Sequence, residues 1–396
     1  MSESNLMKLT RRKLATGIGL CIAAPMRTAI GQSSTIEWKP TFRFDGELFP
    51  SFVLANATRS SNTPAPPNVF GDRMSSLGIE VKAPRAGARV RVAISIDGIA
   101  QEGTIEQALS AGDQASILLP TLRYDFGLLS RMVQPATSSA RFQVFVDDTK
   151  IGDEVKSVRV RSVNDTPIAT YKDGRATGDY AYMMAAFVNE NHPLIEQILQ
   201  GALRLPQPVV TLFSGYQAQV IPQVFAIWYF LQRSGFAYTS ITTPSAMQDG
   251  VSSQHVRFID DSVRVRQANC IDGTVLFASI LRKIGIDPLI VLVPGHAFLG
   301  FYLDGQRRQI AFLETTMMTS TNPFVSRNPN AIGTALARLF QNDPRMRQSA
   351  AAFDNALDVA TQKFAAAEPG IKSRSQYYAL IDVDRARRAG VQAISR

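Results

Sequence analysis

Cysteine and histidine are scarce in this chain of 396 residues, which has two cysteines and three histidines. So few cysteines exclude a disulfide-stapled scaffold, and so few histidines leave a zinc site short of ligands. No apolar run is long enough to span a bilayer, so no stable membrane insertion is expected. The basic residues form no patch interleaved with aromatic side chains, which argues against a nucleic-acid partner. The sequence predicts no bound cofactor and no metal.

The first 31 residues have the layout of a cleaved export signal. A basic "TRRK" (Thr10–Lys13) precedes an apolar "LATGIGLCIAA" (Leu14–Ala24), and the small residues "TAIG" (Thr28–Gly31) follow. The Arg11-Arg12 pair resembles a twin-arginine signal, and an ordinary secretory signal is the alternative. Either signal makes the export machinery a partner and predicts a periplasmic or secreted product.

Hydrophobic periodicity divides the rest of the chain into parts. Over residues 33–165 apolar and polar side chains alternate, as in "ARVRVAISIDG" and "RFQVFVDD", which predicts an antiparallel β-sandwich of the immunoglobulin-like kind. The segment "SVNDTPIATYKDGRATG" (Ser162–Gly178) is interpreted as a linker. A second domain is predicted over residues 166–320, and it contains an apolar helical stripe that ends at Gly235.

Residues 321–396 are predicted to form a helical C-terminal extension that packs on the core. Apolar residues from Phe353 to Phe364 recur at helical spacing, and Pro369-Gly370 is expected to stop that helix. A short apolar run, "YALIDV" (Tyr378–Val383), is expected to supply a last core element. The predicted fold class is therefore α+β.

Cys270 is predicted to lie at the amino end of a buried helix. Asn269 is a good N-cap residue, Asp272 is an acid in the first turn, and Gly285 follows a predicted helix over residues 271–284. The other cysteine, Cys21, lies in the leader. A lone thiol in an oxidising compartment is a liability unless it is buried or used, and a helix amino terminus favours the reactive thiolate.

His296 is predicted to be the base that activates this thiol. It begins a strand, residues 296–303, that follows a buried strand over 288–293, so helix end and strand start can meet in a helix-on-sheet layer. Glu314, in "IAFLETT", is the candidate that orients the imidazole. A two-residue loop at Asp304-Gly305 would turn Glu314 to the opposite face, so the triad demands a three-residue loop or a bulge.

Two glutamines are candidates for an oxyanion donor. The sequence does not separate Gln223 from Gln254 in this role. The remaining histidines, His192 and His255, are predicted to be loop or surface residues.

The stretch "NCIDGTVLFASILRKIGIDPLIVLVPGHAF", followed by "FLET", resembles the bacterial transglutaminase-like superfamily. The resemblance covers roughly residues 178–320 and implies a papain-like fold. It also implies Cys270 as the nucleophile, His296 as the general base and acid, and Glu314 as the orienting acid. The shared order is a cysteine at a helix start, a histidine on a strand and an acid on the next strand.

The sequence therefore predicts an exported cysteine acyl-transfer enzyme, or an amide or peptide hydrolase, that acts on an envelope peptide or protein. The alternative is a peptide-binding or assembly module that keeps a papain-like cleft but performs no chemistry. The alternative predicts an unreactive Cys270.

Overall fold

Strands and helices occur in similar amounts in the computed structural model, which describes residues 36–59, 66–110, 115–239, 250–319 and 343–396. The fold is mixed α+β with several sheets, as the fold-class prediction states. The predicted leader and its Cys21 lie outside these ranges, as does the start of the predicted C-terminal extension. Within these ranges no helix combines the length and the apolarity needed to cross a membrane.

Two sheets form between Trp38 and Val160. Their elements are β1 (Trp38–Phe42), β2 (Glu47–Leu48), α1 (Pro50–Ala55), β3 (Val69–Gly71), β4 (Leu77–Val81), β5 (Ala88–Ile96), β6 (Ala100–Leu109), β7 (Ser116–Leu119), β8 (Arg123–Tyr124), α2 (Phe126–Arg131), β9 (Ala136–Val146) and β10 (Thr149–Val160). One sheet has the order β1-β4-β7-β3 and the other β2-β10-β9-β5-β6-β8. Most neighbours are antiparallel, but β2 pairs with β10, and β3 with β7, in parallel.

The predicted alternation in this region is confirmed by burial. Val90, Val92 and Ile94 of β5 are buried, and they share one hydrophobic core with Phe142 of β9 and Ile79 of the other sheet. Because side chains alternate between the faces of a strand, one set of positions fills the space between the sheets.

The predicted linker over Ser162–Gly178 is wrong, because most of it is a β-hairpin. Strands β11 (Asp165–Lys172) and β12 (Arg175–Asp179) pair antiparallel across Asp173-Gly174, where both residues have positive φ. That conformation forms a tight hairpin turn. The turn residues alone are typical of a linker, but the β-branched and aromatic residues on both sides of them form the two strands.

Helices and short sheets follow in the second half. The elements are a 3-10 helix (Ala181–Phe187), α3 (Pro193–Leu203), a 3-10 helix (Gly215–Gln217), α4 (Val220–Arg233), β13 (Ala237–Tyr238), β14 (Gly250–His255), α5 (Ile259–Val265), β15 (Gln267–Ala268), α6 (Cys270–Lys283), β16 (Pro288–Val293), β17 (His296–Tyr302), β18 (Ile310–Leu313), a 3-10 helix (Thr315–Thr319), α7 (Pro344–Lys372), β19 (Ala379–Asp382) and α8 (Val383–Arg388). The sheets have the orders β12-β11-β14, β13-β15 and β18-β17-β16-β19.

Helix α6 lies at the centre of this half. It packs on β16 and β17, and Phe277 on it contacts Trp228 of α4 with ring centroids 6.4 Å apart. The predicted helix is confirmed within one residue at each end, and the predicted strands β16 and β17 are confirmed. Helix α4 also ends before Gly235, as its stripe predicts.

The C-terminal residues contribute to the sheet as well as to its cover. Helix α7 packs on β18, and β19 pairs with β16, so the predicted last core element is confirmed. The predicted stop at Pro369-Gly370 is wrong, because α7 continues to Lys372. Pro369 falls in the last turn, where its missing N–H removes only one helical hydrogen bond.

Candidate functional site

The start of α6 is fixed by a reciprocal capping box. The Asn269 side chain accepts a hydrogen bond from the Asp272 amide at 2.9 Å, and the Asp272 carboxylate accepts one from the Asn269 amide at 3.3 Å. Asp272 is fully buried and also accepts a bond from the Arg257 amide at 2.9 Å. Burial raises the pKa of Asp272. These bonds satisfy orphan amides of the first turn and hold Cys270 at its first position.

Cys270 is half-buried and is a free thiol. It lines a cleft of about 280 Å³ whose wall also includes His296 and the edge-strand residues Ser252, Ser253 and Gln254. Ile271 to Leu281, the next residues of α6, are all buried. The thiol therefore lies where a helix rooted in the core reaches an open cleft.

His296 is the first residue of β17, directly after the Pro294-Gly295 turn. It lines the same cleft as Cys270, and interaction with that side chain raises the pKa of His296. Its Nε2 atom lies 2.7 Å from Glu314 Oε2, so Nδ1 is the nitrogen that remains for the thiol. The structure thus brings all three predicted residues together, with His296 between the thiol and the carboxylate.

The loop between β17 and β18 decides which face Glu314 occupies. The predicted three-residue loop or bulge is wrong in detail, because Leu303 pairs with Gln309 and leaves five residues, Asp304–Arg308, in the loop. Side chains alternate between the two faces of a strand, so any odd number of loop residues gives the same face as a three-residue loop. Glu314, one residue past β18, therefore still lies on the face of His296. The Asp304 carboxylate stabilises this longer loop by accepting bonds from the Gln306 and Gln309 amides at 2.9 and 3.2 Å.

The Glu314 carboxylate is buried, with 1% of its side chain exposed, and both its oxygens are bonded. Oε1 accepts hydrogen bonds from the Thr316 amide and hydroxyl at 3.2 and 2.6 Å. Oε2 accepts from His296 and from Lys363 Nζ, the latter at 2.6 Å. A carboxylate held on both sides cannot rotate away from the imidazole.

Lys363 is the residue that the sequence analysis missed. It projects from α7, with Nζ also 3.2 Å from His296 Nε2. A signal was present, because Lys363 continues the helical spacing of the buried Ala356, Ala360 and Ala367. A lysine in a stripe of buried alanines indicates a partner beneath it.

The charges of the site shift two pKa values in opposite directions. Burial lowers the pKa of His296, but interaction with Cys270 and the hydrogen bond and charge of Glu314 outweigh it and raise that pKa from 6.5 to about 9. Burial raises the pKa of Glu314, but the hydrogen bond and charge of His296 and the hydrogen bonds from Lys363 and Thr316 lower it from 4.5 to about 2. The pair therefore favours imidazolium and carboxylate at neutral pH.

The other candidates are distributed as follows. Gln223 is buried and bonds the backbone of residues 214, 215 and 219, whereas Gln254 lines the cleft. His192 caps α3, and His255 lies in β14 with Nδ1 2.8 Å from Asp165. In the described part of the chain, no group of three His, Cys, Asp or Glu side chains is arranged to hold a metal.

No protein-family model matches the sequence, and no curated protein matches it.

Proposed function

We propose that the protein is an exported cysteine acyl-transfer enzyme or amide hydrolase of the transglutaminase-like kind, acting on an envelope peptide or protein. The observation that carries the proposal is His296, which shares an open cleft with the Cys270 thiol and bonds the buried Glu314 carboxylate at 2.7 Å. In the proposed architecture an immunoglobulin-like sandwich precedes a papain-like domain, and the product is periplasmic or secreted.

In the proposed reaction the thiol proton of Cys270 lies on His296 Nδ1, so that the attacking pair is a thiolate beside an imidazolium. The thiolate attacks the carbonyl carbon of an amide, and the tetrahedral oxyanion develops near the Cys270 amide, whose N–H has no helical partner at the start of α6. Gln254 in the same cleft is the proposed second donor. The imidazolium then returns its proton to the leaving amine, which gives a thioester for water or an amine to resolve.

A peptide substrate is supported by the wall of the cleft. Among the described strands, β14 is an edge strand that pairs only with β11, and its Ser252, Ser253 and Gln254 line the cleft beside Cys270. An extended peptide can add to such an edge through backbone hydrogen bonds. That position would place its carbonyl groups along the strand, next to the thiol.

Alkylation of the thiol tests the proposal without a known substrate. In the full chain with Cys21→Ser, Cys270 is the one cysteine left. We expect His296→Ala to slow iodoacetamide labelling at about pH 7 by tenfold or more, because the base is lost. The matched control, His255→Ala, removes a histidine that also has a carboxylate partner and should label at the parent rate.

Equal labelling rates in the parent and His296→Ala, between about pH 6 and about pH 9, would remove the catalytic pair and favour the peptide-binding alternative. If the pair is reactive, a glutamine-containing peptide with monodansylcadaverine separates two chemistries. Incorporation of the amine indicates transamidation, and release of ammonia alone indicates hydrolysis.

A further inference from the structure

We infer that Lys363 is a positioning residue of this site, so that the reactive group is a Cys-His-Glu-Lys tetrad completed by the C-terminal helix α7. The inference rests on the proposed function and assigns a role to a residue outside the predicted triad. Its basis is the position of Lys363 Nζ, 2.6 Å from Glu314 Oε2 and 3.2 Å from His296 Nε2.

Helix α7 is held in place by contacts on both sides of Lys363. The Glu314 amide donates to the Ala356 carbonyl at 3.1 Å, so α7 bonds the backbone of the acid as well as its side chain. Phe364, the next residue after Lys363, stacks on Phe312 of β18 with ring centroids 4.0 Å apart. The ammonium group is therefore delivered by a packed helix and not by a loop.

The negative charge of a buried carboxylate must be compensated by a nearby positive charge or by hydrogen-bond donors in every state of a reaction cycle. When His296 is an imidazolium, it supplies that compensation itself. When His296 has given its proton away, Glu314 keeps only neutral donors and Lys363. The lysine thus holds Glu314 ionised, as an acceptor for the imidazole N–H, while the proton moves on and off the ring.

Lys363 also acts directly on the imidazole. Two cationic groups that share one carboxylate oxygen repel each other, and the charge of Lys363 lowers the pKa of His296. An imidazolium stabilised by Glu314 alone would release its proton less readily to a leaving amine. Lys363 therefore offsets part of the rise that Glu314 causes in the pKa of His296, so that His296 can act as a base first and as an acid later.

Among the residues that the structure describes, few other titratable groups face this imidazole. Cys270 approaches from α6, Glu314 from the end of β18 and Lys363 from α7, whereas Val293, opposite His296 on β16, is apolar. The β14 wall of the cleft contributes Ser252, Ser253 and Gln254, which carry no charge. Two tyrosines, Tyr238 and Tyr377, also line the cleft.

The test is an NMR titration of the three histidine rings in the full chain, with His296 assigned by substitution. In Lys363→Met we expect the pKa of His296 to rise by about one unit, because a like charge is removed. In Lys363→Arg, which keeps the charge, we expect the parent value. Lys363→Gln replaces the methionine variant if that protein does not fold.

A matched control lies on the same helix. Lys372 pairs with Glu368 at 2.9 Å and is largely exposed, so Lys372→Met makes the same change away from the site. No shift of His296 in folded Lys363→Met or Lys363→Gln, or an equal shift in Lys372→Met, overturns the inference. The titration uses neither substrate nor thiol reactivity, so it can succeed even where the alkylation test of the proposed function fails.

Discussion

Replacing Glu314 should lower the pKa of His296. The buried carboxylate bonds Nε2 at 2.7 Å and helps to raise that pKa from 6.5 to about 9. Glutamine can still accept the hydrogen bond but carries no charge, whereas alanine removes both. We therefore expect the pKa of His296 to fall in Glu314→Gln and to fall further in Glu314→Ala.

The elevated pKa sets the scale of this effect. Complete loss of the elevation from 6.5 to about 9 corresponds to about 3 kcal/mol, since one pKa unit is worth about 1.4 kcal/mol. Lys363 remains 3.2 Å from Nε2 in these variants and repels the imidazolium without a counter-charge. The double variant Glu314→Gln/Lys363→Met should recover part of the lost pKa.

The assay is the histidine NMR titration, read alongside iodoacetamide labelling of Cys270. A suitable control is Asp165→Asn, which removes the carboxylate partner of His255 and leaves the triad intact. We expect that variant to change neither the pKa of His296 nor the labelling rate. An unchanged pKa of His296 in folded Glu314→Gln and Glu314→Ala would refute the electrostatic account of the site.

Three further predictions concern stability. The Glu314–His296 ion pair should stabilise the fold by about 3 kcal/mol, counted once, and should do so fully between about pH 4.5 and about pH 6.5. This contribution is lost as pH falls through about 2 or rises through about 9. The free energies of unfolding of the parent and Glu314→Gln, measured in urea, should therefore differ more at pH 5.5 than at pH 9.5, and an equal difference contradicts the assignment. Asn269→Ala should lower the free energy of unfolding by about 1 kcal/mol through loss of the capping bonds, and an unchanged urea midpoint contradicts it. Gly273→Ala places a methyl group 2.9 Å from Thr315 Oγ1, beside Glu314, and should cost about 1–3 kcal/mol in urea unfolding and slow labelling; unchanged stability and labelling would show that the contact relaxes freely.

Local sequence signals were sufficient to predict the helix that carries Cys270 and the strand that carries His296. Asn269, Asp272 and Gly285 mark the ends of α6, and short-range capping energetics determine such ends almost regardless of the rest of the chain. The strands β16 and β17 followed from their apolar runs and the Pro294-Gly295 break. The roles proposed for Cys270 and His296 could therefore be predicted from about thirty consecutive residues.

Loop geometry and long-range packing were not accessible in this way. An Asp-Gly pair suits a two-residue turn, but Asp304 instead binds amides as far as Gln309, and the resulting odd loop length decides the face of Glu314. The hairpin at Asp173-Gly174 was mistaken for a linker because the same turn residues occur in both. Each error came from turn residues whose conformation depends on what the flanking strands pair with.

By itself, then, the sequence determined a buried helix with a thiol at its tip and a strand that begins with a histidine. The tertiary structure alone decided that Glu314 reaches the imidazole and that Lys363, 49 residues further along the chain, bonds the same carboxylate oxygen. The physical reason is range: caps and periodicity act over a few residues, whereas a buried charge is compensated by whichever element the packed core brings against it.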